Sequence, residues 1–550
     1  MNRDGNKQRL RTESFDICII GAGASGAGSA LDAALRGYRV ALIDRGDFSG
    51  ETSSRSTKLI HGGVRYLEQA IKKLDLAQLR QVRHGLAERR TVIRNAPHLA
   101  HPLALLTPVF SWFEGLYISI GLALYDFFAH DATFPKGRWL NRRDALAAMP
   151  GLTPRLHSAV QYYDGQLNDA RYALALAHSA DEAGVATANY VALTGFEHDA
   201  AGKLSTALVQ DELTGESFAI RARVFLNCTG PYADAVRRMA NPAVSDRIRP
   251  SKGVHIVLPR QTLQSDQAML IPQTPDGRVV FAIPFEDNVF VGTTDDDYTQ
   301  LDREPVLEPA EVDYLLQTLA PYVARVPDKS EVRAGFGGIR PLIVSSRADT
   351  KTLLRDHEVE HDEQSGLLSL LGGKWTTYRL MAQDAIDRAG EQLGQPVAGT
   401  TEHHLLVGAE GYQFDQWQAL ARDYGLPADV AQHLMRTYGS RADRVARLAA
   451  DEPNLGERLH ERLPMIGAEV LYQVRHEMAV TLRDVLARRW RLELSDWQLT
   501  GDVAGPVAEL MAPALGWTAD EQQRHLAGYR AQLMAFTQQA GVAAGRPTPA

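Results

Sequence analysis

Apolar runs broken by glycine turns alternate with amphipathic stretches along most of this chain, and their periods predict its elements. Residues 15–44 read FDICIIGAGASGAGSALDAALRGYRVALID: an apolar run at 17–20, a glycine turn, a small-residue stretch closed by Gly37, and a second apolar run at 40–43. Continuous apolar runs bounded by turns read as buried strands, and parallel strands need a helical crossover, so this is a βαβ unit. A Ser/Thr-rich loop follows at 49–57, then a charged helical stretch over about 66–95. RVFLNCTGPYADAV at 223–236 repeats strand, turn, helix, and so does LLSLLGGKWTTYRLMAQDAIDRA further on. Between them, HIVLP, VVFAIP and NVFVGTTD predict an antiparallel sheet over about 250–335, and beyond 400 the pattern is mostly helical. The polar segment 1–13 and the Gly/Ala/Pro-rich end at 541–550 are expected to be flexible tails.

Length and composition narrow this picture. A chain of 550 residues exceeds one core and predicts roughly two to four domains. The net charge of -8 argues against nucleic-acid binding, which needs a basic face, but leaves room for a local anion pocket. Two cysteines, Cys18 and Cys228, exclude a disulfide framework and a four-thiolate metal site; both lie in apolar strands and are expected to be buried. No metal is expected. The segment before Phe15 lacks the apolar core of a secretory signal, which points to the cytosol. The most apolar stretch, 115–125, is well short of the roughly 20 residues of a membrane span.

Gly21, Gly23 and Gly26 form G-x-G-x-x-G between a strand and a helix. The first glycine permits the tight turn, the second lets backbone approach a pyrophosphate, and the third lets helix pack on strand. Amides at the helix start, at Ala24 and Ser25, face the anion, and Asp44 ends the second strand where it can accept from a ribose hydroxyl. The acid favours FAD or NAD over NADP. Thr52, Ser53, Ser54, Ser56 and Thr57, with Arg55 and Lys58, can engage a diphosphate and flavin, although composition alone equally describes a solvated loop. The second strand ending in Thr229 and Gly230 resembles that of two-domain flavoproteins, which selects FAD over NAD.

STKLIHGGVRYLE (56–68), NAPHLAHPL, YYDGQLNDARY, NCTGPYAD, SKGVHIVLP, VGTTDDDY, GGIRPL, LLGGKWTTYR and RTYGSRA occur in one order along the chain. Together they resemble the FAD-dependent, aerobic glycerol-3-phosphate dehydrogenases and their oxidase relatives, from about Asp16 to Arg491. The resemblance implies an α/β fold. A Rossmann-like FAD domain (14–100, 160–250, 335–400) is interleaved with an antiparallel-sheet substrate domain of glycine/D-amino-acid oxidase type (101–159, 251–334), and a helical domain (401–540) follows. It implies oxidation of glycerol 3-phosphate to dihydroxyacetone phosphate, with Arg65, Tyr66, Arg340 and Lys374 holding the phosphate. Arginine suits this role because its planar fork grips two phosphate oxygens. Each cation taken singly is more often a surface ion-pair partner; the flanking glycines change that weighting.

Removing the hydroxyl proton needs a base, and His255 and His61 both match family motifs. His255 is favoured, with His61 orienting the flavin, although a histidine within a strand is also a common core residue. Arg340 completes the expected catalytic set, and Asp295 is expected to be structural. The remaining expected cofactor contacts are Arg45, Gly62, Gly63, Gly338, Gly373, Trp375 and Thr376, alongside Lys58, His61 and Lys374. The expected partners are a quinone, the inner face of the cytoplasmic membrane and a second copy of the chain. Aromatic residues Trp112, Phe113, Tyr117, Phe127 and Phe128 suit a bilayer interface, or else a buried core helix. Arg488, Arg489 and Arg491 suit an anionic membrane or a solvated helix face. The alternatives are a soluble oxidase using oxygen, an amine oxidase of the same fold, a pure NAD dehydrogenase, and a non-catalytic flavin-binding module.

Overall fold

Two sheets divide the apolar runs between them. The computed structural model describes residues 1–62, 76–129, 134–272, 274, 277–344 and 357–542. In the first sheet, eight strands run in the order His357–His361, Leu368–Gly372, Ser217–Asn227, Ser14–Ile20, Val40–Ile43, Ala186–Ala188, with Leu204–Asp211 and Val191–His198 attached beside Ser217–Asn227. Ser14–Ile20 pairs in parallel on both sides, Ile17 opposite Val40 and opposite Val224. The crossover helix Ala24–Leu35 packs against helices Asp169–Glu182 and Tyr378–Leu393. This is the expected βαβ unit, and it places the glycine turn at the carboxyl end of the central strand, where ligands of such sheets bind.

The ten-stranded second sheet is centred on Ile248–Pro259, paired antiparallel with Asn288–Gly292 on one side and Ala334–Ile343 on the other. It continues through Val280–Phe285, Ala268–Ile271 and Ala100–Val109 to Ser158–Leu167 and Leu59–Ile60. Several stretches expected in the nucleotide-binding portion pair into this sheet. Residues 335–343 and 160–167 belong to this sheet rather than to the nucleotide-binding portion, because their backbone donors and acceptors pair with its strands. The strand's Val254, Ile256 and Val257 join an apolar cluster shared with Val485, Leu486, Val503 and Val507 of the C-terminal helices, and alternation points Val254 and Ile256 to one face. His255 faces the other way.

The helical pattern beyond 400 is realised in Trp417–Tyr424, Ala428–Tyr438, Ala442–Asp451, Gly467–His476, Trp497–Leu515 and Ala519–Gln539. Two expectations are corrected. Segment 1–13 is not a free tail: Asn2 caps a helix, Arg3–Thr12, whose Leu10 is buried and whose Arg3 and Lys7 pair with Asp211. The end from 543 lies outside the described residues, but Ala540 and Val542 are buried. Arg489 and Arg491 face neither solvent nor membrane; each is 1% exposed, and Arg488 sits beside them paired to Asp484 at 2.9 Å. Cys18 and Cys228 are buried free thiols, pushed by burial up to about 12.

Candidate active site

The glycine turn is as tight as its three glycines require. Gly21 has φ +97°, and a Cβ there would lie 2.7 Å from the Cys228 carbonyl oxygen. A Cβ on Gly26 would lie 1.7 Å from the Gly21 carbonyl oxygen, so helix and turn close only without it. Gly23 caps the helix without a side chain, and the Ala24 amide donates to Ser53 Oγ at 2.9 Å. Ser25 lies in the same first turn, its carbonyl accepting the Ser29 hydroxyl. Asp44 accepts from the Ala22 and Gly46 amides at 2.7 and 2.9 Å; burial outweighs these bonds and pushes its carboxyl up to about 6. Arg45 lies 4.0 Å over the Tyr232 ring. Thr229 is tied to Asn227, and Gly230 adopts φ +57° at the end of the neighbouring strand. A glycine cradle, a helix N-terminus and a terminal acid fit the pyrophosphate and ribose of FAD.

The Ser/Thr loop is stitched to everything around it. Thr52 Oγ1 donates to the Ile339 carbonyl at 2.7 Å, and Trp375 Nε1 donates to the Ser53 carbonyl at 2.8 Å. Ser56 donates through both amide and hydroxyl to Asp169 Oδ2, at 3.0 and 2.7 Å. The Lys58 ammonium is fully enclosed, donating to the carbonyls of Ser54 and Ser56 and to Asp169 at 3.0 Å. With all three donors used and no accessible surface, the Lys58 side chain anchors the loop; it is not a cofactor ligand as expected. Beyond the loop, the His61 amide donates to Thr376 Oγ1 at 3.3 Å, joining LIHGG to GGKWTT. Gly373 adopts φ +90° before Lys374, and a Cβ there would meet the Met381 sulfur at 2.3 Å.

The second sheet presents its chemistry on one face. Ser251 opposes Arg340, Gly253 opposes Gly338 and His255 opposes Phe336, and these alternate positions share a side. The result is a glycine floor between an imidazole and a guanidinium. A Cβ on Gly253 would lie 2.4 Å from Arg340 Nη2, so only glycine lets the guanidinium lie flat there. A Cβ on Gly338 would lie 2.9 Å from the Arg55 carbonyl oxygen, so this floor also admits the loop. Arg340 is held by Asp295 at 3.2 Å and by Thr293 Oγ1 and the Thr294 carbonyl at 3.1 Å, with Ser251 donating to the same Asp295. Asp295 is the support it was expected to be.

His255 stacks on Phe336 with ring centroids 4.8 Å apart, and its Nε2 lies 3.2 Å from Thr57 Oγ1. Among the described residues its buried Nδ1 has no hydrogen-bond partner. Burial foremost, then the Lys58 and Arg340 cations, push its pKa well below the usual imidazole value, so the ring is neutral at neutral pH. Arg65, Tyr66 and Gly63 lie outside the described residues. Two residues that motif reading passed over are central here: Asp169, which gathers the loop, and Phe336, which holds the imidazole. Asp169 carried one signal, an acid in the first turn of the helix capped by Asn168.

Comparison with known proteins agrees with this geometry. Residues 16–379 match the family described as FAD dependent oxidoreductase, and residues 399–522 match the C-terminal domain of alpha-glycerophosphate oxidase. The chain is 41% identical to a probable mitochondrial glycerol-3-phosphate dehydrogenase of Caenorhabditis elegans over 525 residues, covering 94% of this chain and 72% of that one. With the Homo sapiens mitochondrial glycerol-3-phosphate dehydrogenase it shares 40% identity, at the same coverage. The solved structure of the glycerol-3-phosphate dehydrogenase from Bacillus halodurans complexed with FAD superposes with a TM-score of 0.80 at 27% identity, covering 98% of this chain and 99% of that one. The chain belongs to the FAD-dependent glycerol-3-phosphate dehydrogenase family.

Proposed function

We propose that this protein oxidises sn-glycerol 3-phosphate to dihydroxyacetone phosphate and passes the two electrons to a quinone. The observation that carries the site is the glycine floor flanked by His255 and Arg340 and covered by the loop from Thr52 to Lys58. FAD, when bound, supplies the hydride acceptor. Ala24, Ser25, Ser53 and Asp44 suit its pyrophosphate and ribose, and Trp375, Thr376 and His61 border the ring. Arg340, held flat by Asp295 and Thr293, grips the phosphate dianion together with Lys374, Arg65 and Tyr66. His255 accepts the proton of the secondary hydroxyl on the ring nitrogen facing Thr57. Burial foremost, with the two cations adding to it, holds its pKa down in the free protein. A dianion seated against Arg340 offsets that charge and raises the imidazole toward a useful basicity as substrate arrives.

The acceptor and the setting rest on a different surface. On helix Trp112–Ala129 and the residues before it, Phe110, Trp112, Phe113, Leu116, Tyr117 and Ile120 are all exposed, Phe113 at 78%. No helix among the described residues is long and apolar enough to cross a membrane. A contiguous aromatic and aliphatic surface of this kind suits the interface of the cytoplasmic membrane, where a quinone is reached.

Arg340→Ala tests the site. The variant should keep its FAD, seen as absorbance near 450 nm, yet lose on the order of 100-fold in anaerobic flavin reduction at low glycerol 3-phosphate, since a charge-assisted grip on the dianion is gone. Near-normal turnover at low substrate removes Arg340 from this role. Mixing the reduced protein with a soluble quinone or with oxygen then identifies the acceptor; faster reoxidation by oxygen makes it an oxidase.

A further inference from the structure

The C-terminal helical region reaches the active site through a few buried side chains, of which Arg491 goes deepest. Its guanidinium is 1% exposed; Nη2 donates to the Ser54 carbonyl at 2.6 Å and lies 3.2 Å from Asp169 Oδ1. Asp169 is the hub of the cofactor loop: it accepts from Ser56, Lys58 and its own helix's Ala170 amide, and pairs with Arg491. Ser54 O is likewise shared, by Lys58 and Arg491. One guanidinium thus closes a ring of contacts around residues 54–58, and Thr57 in that segment is the hydrogen-bond partner of His255.

A second tie runs in parallel. Arg483 donates to Glu304 at 2.9 Å, and Glu304 pairs with Arg55 of the same loop at 2.8 Å. Residues that only glued two domains together would favour their interface at large. These two reach instead to the backbone carbonyl and side chain of consecutive residues in the loop that covers the site.

We infer that Arg491 is a positioning residue for the reaction: from the C-terminal region it fixes the 54–58 loop, and through Thr57 it sets where the His255 imidazole stands. This rests on His255 being the base. The ring stacks on Phe336, which fixes its plane, while Thr57 fixes its rotation within that plane. Loss of Arg491 leaves the Ser54 carbonyl with one donor fewer and Asp169 with one cation, Lys58. The loop then relaxes while the glycine cradle, which Arg491 does not touch, stays intact.

Stopped-flow reduction of the FAD-loaded protein by glycerol 3-phosphate tests this in Arg491→Ala. The expected result is bound FAD with reduction slowed about tenfold or more, because small misplacements of a reacting group are costly. KM should stay within about threefold, since phosphate contacts are untouched. Added guanidinium ion should restore part of the rate, which a general loss of stability would not allow. Hydrogen exchange over residues 52–61, with and without FAD, should be faster than in the wild type. Arg441→Met, which breaks the pair to Glu182 at the far end of the Asp169 helix, should leave the rate unchanged.

Wild-type reduction by Arg491→Ala overturns the inference. Where that variant does not accumulate, Arg491→Lys decides. It keeps the buried charge but cannot span both acceptors, so it should fold and reduce about fivefold more slowly; an unchanged rate again overturns it. If His255→Ala reduces its flavin at the wild-type rate, the base assignment fails whatever Arg491 does. If His255→Ala is slow and both Arg491 variants are fast, only the positioning role fails.

Discussion

The helix at 112–129 and the arginine run at 488–491 offer the same promise in sequence, a surface for a membrane, and the fold sends them in opposite directions. The helix and Phe110 before it keep six large apolar side chains in solvent, Trp112 at 54%. The arginine run, far more polar, is buried: Arg489 forks onto Asp47, Arg488 pairs with Asp484 and Arg491 reaches Asp169. Local polarity does not decide burial; the availability of a partner does. A guanidinium enters the interior when carboxylates and carbonyls satisfy its donors. An indole or phenyl ring stays outside when no apolar surface is brought to it.

Breaking the buried half has the largest expected effect. Arg489→Met takes the forked partner from buried Asp47, leaving it Asn189 Nδ2 at 3.1 Å and Arg488 at 3.9 Å, and removal of one partner from such a pair typically costs about 3–5 kcal/mol. The measurement is the denaturant midpoint, and Asp47→Asn added to Arg489→Met should recover part of the loss. A midpoint unchanged in Arg489→Met would mean that the pair stabilises nothing. The exposed half responds in the opposite way. Phe113→Ser with Trp112→Ser should leave the midpoint where it is and weaken binding to anionic lipid vesicles by about 10–100-fold, from the apolar area no longer inserted. Undiminished vesicle binding would remove this helix as the attachment surface.

The smallest effect is an acid one. Burial would raise the Glu304 carboxyl, but the Arg55 and Arg483 cations override it and leave it at about 2, against 4.5 in a free chain. A depressed carboxyl contributes stability above its unfolded value and loses it as pH falls through the folded one, here between 4.5 and about 2. The wild-type midpoint should therefore fall more steeply across that window than the midpoint of Glu304→Gln. Parallel pH profiles would show that the Arg483–Glu304–Arg55 bridge is not in place.

Much of the architecture was legible because its determinants are local. The G-x-G-x-x-G turn, the flanking apolar runs and Asp44 lie within thirty residues, and each has a steric reason that a string of letters carries. The antiparallel strands were legible by the same token, but their edges were not: residues 334–343 pair with 248–257, and nothing in GGIRPL says which sheet will take it. Lys58 was read as a cofactor ligand because a cation in a Ser/Thr loop suits phosphate. Its real partner, Asp169, lies 111 residues away. Arg489 finds Asp47 across 442 residues, a distance over which composition says nothing. Charge pairing over such separations is decided by tertiary packing alone.

The shared side of Ser251, Gly253 and His255 with Phe336, Gly338 and Arg340 bears on how this enzyme can change. Each reactive group is aimed by counting in twos, so adding or deleting one residue in either strand turns its chemistry to the opposite face of the sheet. Laboratory evolution should accept many substitutions along these strands yet reject single-codon insertions and deletions there, and the few survivors should carry a compensating bulge.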